Sequence, residues 1–170
     1  MAGDRTIAKV KFDRRLSAVM ADGEVSFDET LTPVLEPRWV YTPNNNLGLA
    51  FDLLACLLAD NAGGAPKNAT VRLSISGQDI DVDVPVGAGG SGEQIVVRAT
   101  VQLVKLGKSD GQVNIGGFAV DDAGTVTPIV QALTGIDTQG PLRVEVSVIG
   151  EDSDVTGTVA IAEMRALGSA

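Results

Sequence analysis

The chain has 170 residues, 44% of them hydrophobic and only 4% aromatic, with a formal net charge of -9 and a pI near 4.4. A chain of this length and apolar content buries a core without staples, which excludes disorder as a whole, and its acidic field repels a polyanion such as nucleic acid. With no histidine and one cysteine, Cys56, it has no Ser-His or Cys-His nucleophile pair, no histidine-ligated metal and no internal disulfide framework.

The charge is uneven. Residues 1–15 carry Arg5, Lys9, Lys11, Arg14 and Arg15 against Asp4 and Asp13, so +3 here leaves -12 for the rest. Ends of opposite sign favour head-to-tail contact between copies, although ordinary surface charge on a strand reads the same way. Met1 to Val10 lacks an apolar signal core, and Ala2 rather than glycine follows Met1, so neither secretion nor myristoylation is expected. The longest apolar run, Leu47 to Ala59, contains Asp52 and falls short of the roughly 18 residues that span a bilayer. The expectation is a chain made in the cytoplasm, with no membrane partner.

In chain order, Thr6 to Phe12 alternates as a strand, and Asp22-Gly23 marks a turn. Val25 to Phe27 is a short strand. Pro33 and Pro37 make the next piece an edge or an extended arm, running into Arg38, Trp39 and Tyr41. Residues 1–41 thus form an N-terminal strand and arm segment, and residues 42–170 form the main domain, together one compact unit.

Thr42-Pro43-Asn44-Asn45-Asn46 breaks the chain and offers caps for a helix. Leu47, Ala50, Phe51, Leu54, Leu57 and Leu58 then recur at three and four residues, which predicts an amphipathic helix over about residues 46–62, ended by Gly63-Gly64 and Pro66. Cys56 in it reads as a small core residue. Such a helix packs on the sheets or plugs one end of them.

From Val71 the period is two. Val71, Leu73 and Ile75, then Ile80, Val82, Val84 and Val86, predict a hairpin turning at Gly77-Gln78 with one buried face. Gly87 to Gly92 is a flexible link. Gln94 to Leu106 is a long strand, Val113 to Val120 a weaker one, and Thr125 to Gln131 an edge strand because of Pro128. Leu142 to Val148 and Val155 to Met164 are strands around an acidic turn at 151–154. Eight to ten strands at this spacing predict an all-β sandwich, jelly-roll-like, with one helix.

Most motif strings dissolve in context. Gly87, Gly89 and Gly92 match a dinucleotide fingerprint, but a strand follows where a helix must stand. Gly107-Lys108-Ser109 lacks the glycine a phosphate loop needs five positions earlier. Asp79, Asp81 and Asp83 have calcium-loop spacing without the required glycine and glutamate, and read as a carboxylate ladder on a solvent face. Glu151, Asp152 and Asp154 are a better calcium candidate. Asn68-Ala69-Thr70 is a glycosylation string without a secretory context. No catalytic, cofactor or metal residues are assigned.

The alternating sandwich, extended N-terminal segment, acidic surface and missing acid–base groups resemble virion structural proteins. The resemblance is to jelly-roll-like decoration or cement proteins and to small capsid or tail subunits of tailed bacteriophages. It implies a non-catalytic structural subunit that binds copies of itself or other capsid proteins and resides in the virion. Arg5, Lys9, Lys11, Arg14, Arg15, Arg38, Trp39 and Tyr41 are the candidate interface, since aromatics and Arg anchor interfaces. Two alternatives stay open. One is a β-sandwich binding module, for carbohydrate for instance, using the 87–92 and 150–154 loops. The other is a carboxylate-based hydrolase.

Overall fold

A computed structural model describes residues 25–40 and 50–167. Ten strands run through them: β1 (Val25–Phe27), β2 (Thr32–Val40), β3 (Ala50–Asn61), β4 (Lys67–Ile75), β5 (Gln78–Val86), β6 (Glu93–Lys105), β7 (Gly111–Val120), β8 (Val126–Ile136), β9 (Leu142–Gly150) and β10 (Val155–Leu167). They form two antiparallel sheets packed as a sandwich. The six-stranded sheet has the order β1-β10-β3-β6-β7-β8, and the four-stranded sheet the order β2-β9-β4-β5.

Period-two sequence makes these strands, because alternate side chains point to opposite faces. In β5, Ile80, Val82, Val84 and Val86 are buried between the sheets, while Asp79, Asp81, Asp83 and Pro85 face outward. β4 and β9 repeat the pattern with Val71, Leu73 and Ile75 and with Val144, Val146 and Val148. From the larger sheet Leu53, Leu57, Ile95, Val97, Val101 and Ile115 interdigitate with them, giving one continuous core. The two N-terminal strands are part of this body. β1 pairs with β10, and β2, with its two prolines, lies at the edge of the smaller sheet beside β9.

In place of the expected helix over residues 46–62 the structure has the strand β3 over Ala50–Asn61, and no helix occurs among the described residues. β3 lies between β10 and β6, paired along nearly its whole length on both sides. Phe51, Leu53, Ala55, Leu57 and Ala59 are buried, and Asp52, Leu54, Cys56, Leu58 and Asp60 are half-buried on the other face. Leu and Ala prefer helices, but the preference is a few tenths of a kcal/mol per residue, roughly, and ladder bonds to two neighbours outweigh it. Cys56 is therefore not a core residue; it stands on the outer face of the large sheet.

The hairpin between β4 and β5 turns one residue earlier than expected. Ile75 pairs with Gln78, and Ser76 and Gly77 occupy the turn with φ of 50° and 83°. Two consecutive positive φ values are the type I′ geometry that matches strand twist. β8 runs to Ile136, beyond the expected Gln131, and lies at a sheet edge as Pro128 requires.

Candidate interaction face

The outer faces of the two sheets differ in chemistry. On the four-stranded sheet, cross-strand partners Thr70–Asp83, Arg72–Asp81 and Ser74–Asp79 line up along β4 and β5. The Arg72 guanidinium donates to both oxygens of Asp81 at 2.7 and 2.8 Å and reaches Asp79 at 3.7 Å, while the Thr70 hydroxyl donates to Asp83 at 2.6 Å. The carboxylate ladder is a solvated face, as expected, relieved by the strand beside it. Hydrogen bonding to Arg72 holds the Asp81 carboxyl below the usual range.

The six-stranded sheet turns an apolar face outward. Register places Ile161, Cys56, Val96, Val120 and Val126 side by side across β10, β3, β6, β7 and β8. The neighbouring row holds Leu54 between the charged Glu163 and Arg98, then Phe118 and Pro128 beyond Arg98. Val130 is 80% exposed, Val126 60% and Ile161 49%, in a region where single exposed apolar side chains are normal and a contiguous group is not. Burial pushes the Cys56 thiol up, making it a poor nucleophile at neutral pH.

Charges on this face are confined to one side and pair among themselves. Arg165 donates to both Glu163 oxygens at 2.6 Å, Arg98 lies 3.5 Å from Asp52, and the Thr100 hydroxyl donates to Asp52 at 2.5 Å. The β7–β8 half carries no charged outward residue. Gln112, Asn114, Gly116, Phe118 and Val120 stand on β7, beside Thr134, Ala132, Val130, Pro128 and Val126 on β8. A hollow of about 530 Å³ lies over Gly116, bordered by Thr100, Asn114, Val130 and Ala132.

The loops at one end of the sandwich are engaged with the protein itself. Lys67 donates to Asp152 at 2.6 Å and to Asp154, so an ammonium sits where the acidic turn had suggested a calcium ion. These hydrogen bonds raise the Lys67 pKa, and the same lysine, followed by the Asp154 N–H, lowers that of Asp152. Glu151 accepts from the Asn68 N–H at 2.8 Å. In the 87–92 loop the Gly87 N–H donates to Glu93, the Gly92 N–H to Asp60 at 2.7 Å, and the Gly89 N–H to the Gly63 carbonyl at 3.0 Å. The glycines expected to form a flexible link are thus tied to the protein at several points. The strand β6 follows the loop, so the dinucleotide string has no helix behind it. Among the described residues no three acidic, cysteine or histidine side chains gather as metal ligands.

Of the expected interface residues, Arg5, Lys9, Lys11, Arg14, Arg15 and Tyr41 lie outside the described residues. Arg38 and Trp39 lie in β2, opposite Val144 and Arg143 of β9. Sequence reasoning missed the apolar outer face, although a signal for it exists. In β3, and in the Phe118, Val120, Val126 and Val130 stretch, both alternating faces carry apolar residues, which marks a strand covered on two sides.

Comparison with protein-family models, curated proteins and solved structures finds no match to this chain.

Proposed function

We propose that this chain is a non-catalytic structural subunit of a protein assembly, of the kind that decorates or cements a virion capsid. The observation that carries the reading is the contiguous apolar face on the outside of the six-stranded sheet. Chains that stay alone in water seldom leave such a face open, and subunits bury it against a neighbour. The opposite sheet, with its paired charges, has the chemistry of a surface left in water.

Strand order supports the finer description of the fold. With the β7–β8 pair set aside, the sheets read β1-β10-β3-β6 and β2-β9-β4-β5, the interleaving of a jelly roll, an architecture found in viral capsid and lectin domains. Fold alone does not assign function, and the same architecture carries carbohydrate-binding proteins. The end loops that such a module would use have their polar groups committed to Lys67, Asn68 and Asp60. That observation favours the assembly reading. Contacts from the basic N-terminal segment and from Arg38 to Tyr41 belong to it, with charge setting register and strand addition or apolar burial supplying affinity.

The test is the solution mass of the full chain by size exclusion with light scattering, over a concentration series, together with cosedimentation on candidate capsid particles. Discrete oligomers or saturable particle binding are expected. A chain that is monomeric throughout, ignores particles and binds glycans on an array would overturn the proposal.

A further inference from the structure

The outer face of β7 and β8 carries a projection and an open hollow in one cross-strand row. Gly116 and Val130 are register partners, so their Cα atoms are about 5 Å apart. Val130 is the most exposed large apolar side chain among the described residues. Beside it, Gly116 has no side chain, and a Cβ built there meets no atom within 4 Å, which leaves the hollow over β7 open. The adjacent glycine is different. A Cβ at Gly117 would collide with the backbone carbonyl of Arg98, so the fold needs that glycine and does not need the one at 116.

We propose that this half-face packs on the same half-face of a second copy, each Val130 seated in the hollow over the other copy's Gly116. A two-fold axis running between β7 and β8, parallel to the strands, lays β8 of one copy over β7 of the other. It satisfies both knob-and-hollow pairs at once, as an isologous interface requires. The same operation sets Phe118 against Pro128 and Val120 against Val126, apolar on apolar. A second copy fits better than an unlike partner because one row supplies both complementary shapes. Copies of a chain with net charge -9 repel, and this half-face, with no charged outward residue, is where they approach at least cost. Two strands of overlap cover about 10 Å by 30 Å per copy, roughly 600 Å² in all, which is below the size of stable interfaces and in the range of transient contacts. The contact is a weak dimer in solution, suited to repetition within an assembly.

This inference rests on the structural-subunit reading and names the surface it uses. The experiment is sedimentation equilibrium of the full chain from about 1 µM to about 1 mM, with folding checked by circular dichroism. The wild-type chain is expected to form a dimer with Kd in the range of tens to hundreds of micromolar, roughly. Gly116→Val puts a side chain where Val130 of the other copy would sit and Val130→Lys charges the knob; each is expected to weaken the dimer at least tenfold, roughly, while Ser74→Lys on the opposite sheet leaves it unchanged. The double variant Gly116→Val/Val130→Gly exchanges knob and hollow between the strands, and is expected to recover most of the affinity lost in Gly116→Val alone. Dimerisation unaffected by both single variants would overturn this face while leaving the subunit reading standing. A folded wild-type chain that is monomeric to about 1 mM overturns the face-to-face pair, and cosedimentation with particles then judges the subunit reading separately.

Discussion

Asn61 is a buried polar side chain with all its bonds inside the protein. Its amide donates to the Ala65 carbonyl at 2.9 Å and the Val86 carbonyl at 3.2 Å, and its oxygen accepts the Gly63 N–H at 2.9 Å. Asn61→Ala leaves those backbone groups without their partner, so we expect a loss of about 2–3 kcal/mol in urea unfolding. A loss under about 0.5 kcal/mol would show that water replaces the amide. Lys67 predicts a pH dependence. Asp152 titrates lower in the fold than unfolded, so its contribution is present above about pH 4 and fades as pH falls through the lowered value. The Lys67 pKa is raised, so its contribution is full below about pH 10 and is lost as pH rises through the folded value. Comparing urea midpoints of the native chain and Lys67→Met across pH should show a gap that narrows at both extremes. A constant gap would mean that the lysine acts through packing alone.

At the scale of elements, β3 is the instructive case. Its string satisfies a helix template at Leu47, Ala50, Phe51, Leu54, Leu57 and Leu58, and also an alternating template with Phe51, Leu53, Ala55, Leu57 and Ala59 inward. The strand geometry separates the neighbours Leu57 and Leu58, which a broad helix face would bury together. Leu57→Ala is expected to cost about 2–5 kcal/mol and Leu58→Ser less than about 1 kcal/mol, read by urea unfolding. Equal losses would contradict the strand. Other strands were legible because their outward residues are polar, as with Asp79, Asp81 and Asp83 in β5. The apolar outer face was not, because Val126 and Ile161 read as core by residue type, and only the structure leaves them 60% and 49% exposed.

The whole molecule joins distant parts of the chain, β1 to β10 and β2 to β9, so most of its contacts close long loops. Such topologies fold slowly, and refolding from urea is expected on a timescale of milliseconds to seconds, roughly, by stopped-flow fluorescence of Trp39. A microsecond phase carrying the full amplitude would contradict it. Salt separates the two proposed modes of association. A β7–β8 contact is uncharged and partly apolar, so its dimer constant should change less than about threefold between 0.05 and 0.5 M sodium chloride, roughly, and should strengthen in sulfate. Association through the basic residues 1–15 would weaken steeply over the same range.

Read by itself, the amino-acid sequence determined the all-β class, the hairpin of β4 and β5, the edge positions of the proline-bearing strands and the absence of histidine chemistry. These follow from local periodicity, from proline's missing donor and from composition. Only the tertiary structure decided that residues 50–61 form a strand, because ladder bonds to β6 and β10 act across the chain and overrule local preference. It alone decided that Lys67 meets Asp152 and Asp154, a pairing made by the neighbouring positions of β4 and β9. Register across five strands likewise aligned Ile161, Cys56, Val96, Val120 and Val126 into one outward-facing row, a relation between residues up to 105 positions apart that no window of sequence contains.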